Sequence, residues 1–190
     1  MRFYCVVLFC LGYIASAAHA AETNIATLSC AKYQNEFIAS AGSTAGEDPI
    51  NTMMWLFGYS VANSGAHVMY GDALAGFGFA LDAECKDHPA ESLLQALAAV
   101  KPDPKNPMDL TALECQTFAA RHLDLMKSDA ESAKTIMMWL FGFAAAKSGS
   151  HIFDAGGVGA FEAALMSDCQ KFPARNLFDA LAAVRVAKSK

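Results

Sequence analysis

The chain has 190 residues, 54% of them hydrophobic and only 17% charged, with a formal net charge of −5 at neutral pH. That composition supports a packed core, and the acidic balance disfavours nucleic acid or an anionic membrane surface as a partner. Beyond the N-terminus, no stretch reaches the roughly 18 apolar residues that a membrane span needs.

The first twenty residues read as a leader rather than as part of the fold. Arg2 supplies a positive start, Phe3 to Ile14 is a short apolar run, and Ala18-His19-Ala20 is a small-residue cleavage signal. This is the pattern of a secretory signal peptide cut after Ala20. Lipidation through Cys10 is disfavoured, because Phe9 is bulky where a small residue is needed. Without Arg2 and His19 the mature chain carries 13 basic and 19 acidic residues, a net of −6. In strong acid the carboxylates are neutral and four histidines are charged, giving +17, a charge at which the fold repels itself.

The rest of the chain contains one pattern twice. Met53-Met54-Trp55-Leu56-Phe57-Gly58 returns as Met137-Met138-Trp139-Leu140-Phe141-Gly142, and 22 of the 48 positions in 53–100 are identical in 137–184 without a gap. The offset of 84 also carries His67 onto His151, Phe77 onto Phe161 and Cys85 onto Cys169; upstream, Cys30 matches Cys115 at an offset of 85. An internal duplication of this kind predicts two small units. Their boundaries are 21–100 and 109–190, joined by a proline-rich linker over 101–108 in extended, semi-rigid geometry.

In the first unit a helix is expected from Leu28 to Ser40, then a small-residue loop over 41–46. Asp48-Pro49 starts a central helix that ends at Gly65. This helix is apolar nearly all round, so it should be buried. A third helix follows from Asp72 to Asp87, where Gly76 and Gly78 would allow a neighbour to approach closely. A fourth opens at His88-Pro89. In the second unit Ser128-x-x-Glu131 reads as a capping box for the central helix, which Gly149 ends. The third helix begins near Gly156-Gly157, Pro173 opens the fourth, and Arg185 to Lys190 is a basic tail. No period-two pattern stands out, so no sheet is expected. The fold class is all-α, two tandem four-helix units.

Four cysteines remain after the leader: Cys30, Cys85, Cys115 and Cys169. Export favours disulfides, and spacing alone leaves three pairings open. The duplication selects Cys30–Cys85 and Cys115–Cys169, the pairs a single ancestral unit makes by itself. Zinc is disfavoured, since no C-x-x-C or H-x₃₋₅-H spacing occurs. No metal or other cofactor is expected.

Catalysis has little support. Gly156-Gly157-Val158-Gly159 lacks the strand and the G-K-[ST] of a phosphate loop, and no G-x-S-x-G occurs. His67 and His151 recur just past a helix end. There they either favour the helix dipole or form a pH-responsive contact between the units. The stripes Met53, Met54, Trp55, Phe57 and Met137, Met138, Trp139, Phe141 read first as core. Their second reading is an adaptable apolar surface that acid exposes to clients.

Each unit resembles the HdeA/HdeB-type periplasmic acid-stress chaperones. The pattern is an early Cys in a helix, a central W-L-x-G-[YF] helix and a late C-x-x-x-P-x-x-x-L-x-x-A-L. Here it stands as Cys30, Trp55-Leu56-Phe57-Gly58-Tyr59 and Cys85, Pro89, Leu93, Ala96-Leu97. It returns as Cys115, Trp139-Leu140-Phe141-Gly142-Phe143 and Cys169, Pro173, Leu177, Ala180-Leu181. The resemblance implies a small all-α periplasmic protein with one disulfide per unit. It further implies an ATP-independent holdase that loosens at low pH and binds aggregating, acid-denatured proteins. The duplication suggests that the units pack as an intramolecular pseudo-dimer in a monomer or weak homo-oligomer, with Trp55 and Trp139 near the shared interface. The competing reading is an envelope protein that binds one specific partner, such as an immunity-type inhibitor of a secreted toxin. A small-ligand carrier between the units is a third.

Overall fold

The structure, a computed structural model, describes residues 22–38, 49–70, 73–101, 107–184 and 186. The expected leader with its Cys10, the loop over 41–46, the capping residue Asp48, Asp72, residues 102–106 of the linker and most of the basic tail lie outside them.

The described chain is mostly helical. A short strand β1 (Thr23–Asn24) leads into α1 (Cys30–Tyr33), which continues as a π-helical stretch, Gln34–Ile38. Then come α2 (Pro49–Asn63), strand β2 (Val68–Tyr70), α3 (Leu74–Asp87) and α4 (Leu93–Ala99). The second half runs through strand β3 (Pro107–Asp109), α5 (Cys115–Ser128), α6 (Ala130–Ser148), strand β4 (Ile152–Phe153), a 3₁₀ turn (Ala155–Gly157), α7 (Val158–Lys171) and α8 (Leu177–Ala183).

Each half is tied together by the same backbone bonds. The N–H of Cys30 donates to the carbonyl of Glu91 and that of Ala31 to Pro89, while Leu93 donates to Leu28. In the second half Cys115 donates to Arg175, Gln116 to Pro173 and Leu177 to Leu113. Pro89 and Pro173 therefore do not open helices, as the sequence suggests, but sit in turns whose carbonyls hold the first helix. The last helices start instead at Ser92, in a capping box with Gln95, and at Asn176, which caps through Asp179. Buried disulfides join Cys30 to Cys85 and Cys115 to Cys169, linking α1 to α3 and α5 to α7.

Three further sequence expectations are corrected. Ser128 does not cap α6: it closes α5 through its hydroxyl to the carbonyl of Asp124. Asp129 is the cap and accepts from the N–H of Ser132, and the Ser132 hydroxyl holds its carboxyl below the usual carboxylate range. Nor is the structure free of strands. β1 pairs antiparallel with β4 and β2 with β3, in the registers Asn24↔Ile152 and Val68↔Asp109. These ladders are only two or three residues long, too short for an alternating pattern to be read. Finally, Pro107 and Met108 are not spacer, because both pair in β3.

The two halves meet through α2 and α6, the most extensive contact between any two elements. Both helices are buried on nearly every face, as their composition requires. Gly58 and Gly142 set the approach. A Cβ on Gly58 would fall inside the van der Waals envelope of the Trp139 carbonyl, and one on Gly142 inside that of Trp55. Gly65 and Gly149 follow the ends of these helices with positive φ, 80° and 71°, where only glycine is unstrained. Gly76 has nothing within 4 Å of its would-be Cβ, and Gly78 meets only the Met53 side chain. The glycines of the third helix are therefore not the close-contact positions.

Candidate functional site between the central helices

Trp55 and Trp139 occupy the layer where the halves meet, both fully buried. Trp55 stacks on Tyr59 one turn later with centroids 5.3 Å apart, and Trp139 stacks on Phe143 at 5.4 Å. Phe153 of the second half meets the Trp55 ring edge-on at 5.4 Å. Both indole N–H groups are buried without an acceptor among the described residues, so aromatic packing rather than hydrogen bonding holds these rings.

Met54, Phe57, Met137, Met138 and Phe141 are also buried, and Met53 is half-buried. In this folded form the Met/aromatic stripes are interior. Phe57 stacks on Phe77 and Phe141 on Phe161, so each central helix grips the third helix of its own half.

The ladders end on the two histidines. The carbonyl of His151 accepts from the N–H of Ile25, and that of His67 from the N–H of Leu110, both at 2.9 Å. Each histidine thus lies where one half is pinned to the other. Their side chains differ. His151 Nδ1 lies 2.6 Å from the Tyr59 hydroxyl across the interface. Burial pushes the Tyr59 phenol up to about 12, so it holds its proton and can donate to Nδ1 in the tautomer that leaves this nitrogen bare. His67 is exposed and meets Phe178 edge-on at 6.0 Å. Lys147 lies over the same Phe178 ring, 5.0 Å from its centroid. Asp109 is near enough to His67 to feel its charge, although the Thr111 hydroxyl is the main cause of its lowered carboxyl.

In the sequence Tyr59 counts only as the aromatic that closes the W-L-x-G-[YF] motif, and its exchange for Phe143 in the second copy is the signal that marks its hydroxyl. Removing the hydroxyl with Tyr59→Phe should cost about 1 kcal/mol at pH 7. Chemical denaturation checks this, and an unchanged midpoint would show that the contact contributes nothing.

No group of three or more potential metal ligands occurs among the described residues, nor is any helix there long and apolar enough to cross a membrane.

A protein-family model matches part of the chain. The HdeA model, described as the HdeA/HdeB family, covers residues 93–179. The matched stretch starts in α4 and contains Cys115, the α6 helix with Trp139, and Cys169. The similarity to that family lies in residues 93–179, most of them in the second half of the chain. No curated protein and no solved structure matches.

Proposed function

We propose that the chain is a periplasmic acid-stress chaperone, an ATP-independent holdase made of two HdeA-like units. The observation that carries the reading is the family match across the second half, extended to the first half by the 84-residue sequence repeat. The units, residues 21–100 and 109–190, pack as an intramolecular pseudo-dimer. The reciprocal contacts Gly58–Trp139 and Gly142–Trp55 and the two inter-half ladders support that arrangement. Export by a signal peptide ending at Ala20 fits the two disulfides.

In strong acid the change from −6 to +17 drives the halves apart while each disulfide keeps its own half closed. The surface released is the α2/α6 layer, with Met53, Met54, Trp55 and Phe57 on one side and Met137, Met138, Trp139 and Phe141 on the other. Flexible thioethers and aromatics suit binding to varied unfolded clients. No catalytic step is required of any residue.

His151 is the pH-responsive contact of the pair. Protonation turns its Nδ1 from acceptor into donor, and the Tyr59 hydroxyl must then accept and find a new acceptor for its own proton. His151→Gln should shift the midpoint of the acid transition, followed by tryptophan emission, while His67→Gln should leave it nearly in place. Equal shifts from both variants would refute this assignment.

The function is tested by light scattering. The mature oxidised protein should suppress client aggregation at about pH 2 and not at pH 7. A folded-state binder of one envelope partner is the second reading. It is favoured by Phe79, 76% exposed on a face of α3 otherwise lined by Ala75, Gly76, Ala80 and Ala83. Absence of suppression at both pH values would leave that reading standing and overturn the first.

A further inference from the structure

The two halves hold their first and third helices together by different polar contacts. In the second half His122 of α5 is buried, and its Nε2 lies 2.7 Å from Oε1 of Glu162 on α7. Its ring stacks on Phe118, with centroids 5.8 Å apart and 14° between the planes. Its Nδ1 is buried with no hydrogen-bond partner among the described residues. A protonated His122 therefore depends on Glu162 for both its charge and its one polar contact.

The other charged groups around α5 are engaged elsewhere or face solvent. On α7, Asp168 pairs with Arg175 at 2.6 Å and Lys171 is exposed. On α6, Glu131 and Lys134 are exposed in the first turns, and Lys147 lies over the Phe143 and Phe178 rings. Asp179 of α8 is exposed and accepts from Asn176. Just before α5, Glu114 is exposed and accepts from Gln116; on α5 itself Arg121 is exposed, and the exposed Asp124 and Lys127 pair at 3.3 Å. Among the described residues, no second carboxylate lies within ion-pair distance of His122.

The first half cannot form this pair. The repeat offsets place Phe37 and Gly78 at the positions of His122 and Glu162. There Gln34 Nε2 donates to the carbonyl oxygen and to Oδ1 of Asp82, at 3.2 and 3.1 Å. Asp82 also pairs with Lys86, which is the main cause of a carboxyl held below the usual carboxylate range; burial opposes the shift and Gln34 adds to it. A depressed carboxyl contributes stability that is present above its unfolded value and lost only as pH falls through the lower folded value. The second half has Ala119 and Met166 at the corresponding positions.

We propose that the His122–Glu162 contact is an acid-released clamp confined to the second half, so that on acidification this half opens before the first. When Glu162 takes up a proton from solvent, the buried imidazolium loses its counter-charge, and separating α5 from α7 is what returns it to water. In the first half the buried ionisable group beside Asp82 is Tyr33, which is uncharged in acid and so is not ejected, and the Gln34–Asp82 link persists to lower pH. This deepens the acid-response reading, on which it rests for its purpose alone, since the order of opening is a property of the chain without client.

The test is amide hydrogen exchange of the full disulfide-bonded protein between pH 6 and pH 2, with rates expressed as protection factors. In the wild type, α5 and α7 should lose protection at a higher pH than α1 and α3. Glu162→Gln should lower α5 and α7 protection about tenfold or more at pH 6, have little effect at pH 3, and leave α1 and α3 unchanged. His122→Phe, the residue of the first half, should bring the two opening pH values together, and it serves if the Gln variant fails to fold. Simultaneous opening, first-half opening ahead of the second, or an equal effect of Glu162→Gln at both pH values would overturn the clamp. Simultaneous opening with client protection intact in acid removes the clamp and keeps the chaperone. Staged opening without client protection does the reverse.

Discussion

Gly58→Ala and Gly142→Ala are each expected to destabilise the protein by about 3 kcal/mol, the upper part of the usual range for overpacking a core. The added methyl at either position runs into backbone, the carbonyl of Trp139 or of Trp55, and not into a side chain that can rotate away. Relief requires α2 and α6 to move apart, and that movement strips packing from both tryptophans. A domain of this size is stable by only about 5–15 kcal/mol, so the double variant should lose the α2/α6 layer altogether. The sign of the effect makes the test sharp. Alanine is the better helix former by about 1 kcal/mol, so if the helices do not approach this closely, each single variant should gain stability. Gly76→Ala is the control. Nothing lies within 4 Å of its would-be Cβ and the position is exposed, so it should stabilise by up to about 1 kcal/mol. Guanidinium denaturation of the three variants decides the matter. A gain at Gly58 equal to that at Gly76 would show that the central helices are not in backbone contact.

The central helices were legible because Met53 to Tyr59 and Met137 to Phe143 are apolar on every face, a pattern that only full burial satisfies. Their ends were legible from Gly65 and Gly149, since positive φ leaves a chemical signature. The fourth helices were misplaced because Pro89 and Pro173 look like helix starts, and a local signal carries no sign that a distant N–H, from Ala31 or Gln116, claims the carbonyl. The glycines of α3 stand out in the sequence, while the contact-forming Gly58 and Gly142 are hidden inside a motif dominated by large side chains. Close approach depends on what the partner helix presents, and that is a tertiary fact. The pairs Tyr59–His151 and His122–Glu162 were invisible for the same reason, being separated by 92 and 40 residues. Comparing the two copies still points to them. Tyr59 faces Phe143 in the alignment, His122 faces Phe37 and Glu162 faces Gly78, so the polar contacts sit where the repeat departs from itself.

Opening either disulfide is the second large effect expected. The bridges span 55 and 54 residues, and in the chain-entropy model closing a loop of that length is worth about 4 kcal/mol. Removing Cys30–Cys85 as a Cys→Ala pair should therefore lower stability by about that amount at pH 7, and removing Cys115–Cys169 should do the same. All four sulfurs are in the core, so the alanine variants also lose packing, and reduction of the wild-type chain is the cleaner comparison. The larger consequence lies in acid. With the bridges closed, α1 stays beside α3 and α5 beside α7 when the halves repel, so the hydrodynamic radius at about pH 2 should stay well below that of a random chain. With both bridges reduced by a phosphine, nothing covalent opposes the charge repulsion and the radius should rise to the unfolded value. Equal radii for the oxidised and reduced chains in acid would mean that the disulfides do not hold the halves closed there. In that case the apolar layer would be displayed, if at all, on an unfolded chain rather than on two stapled units.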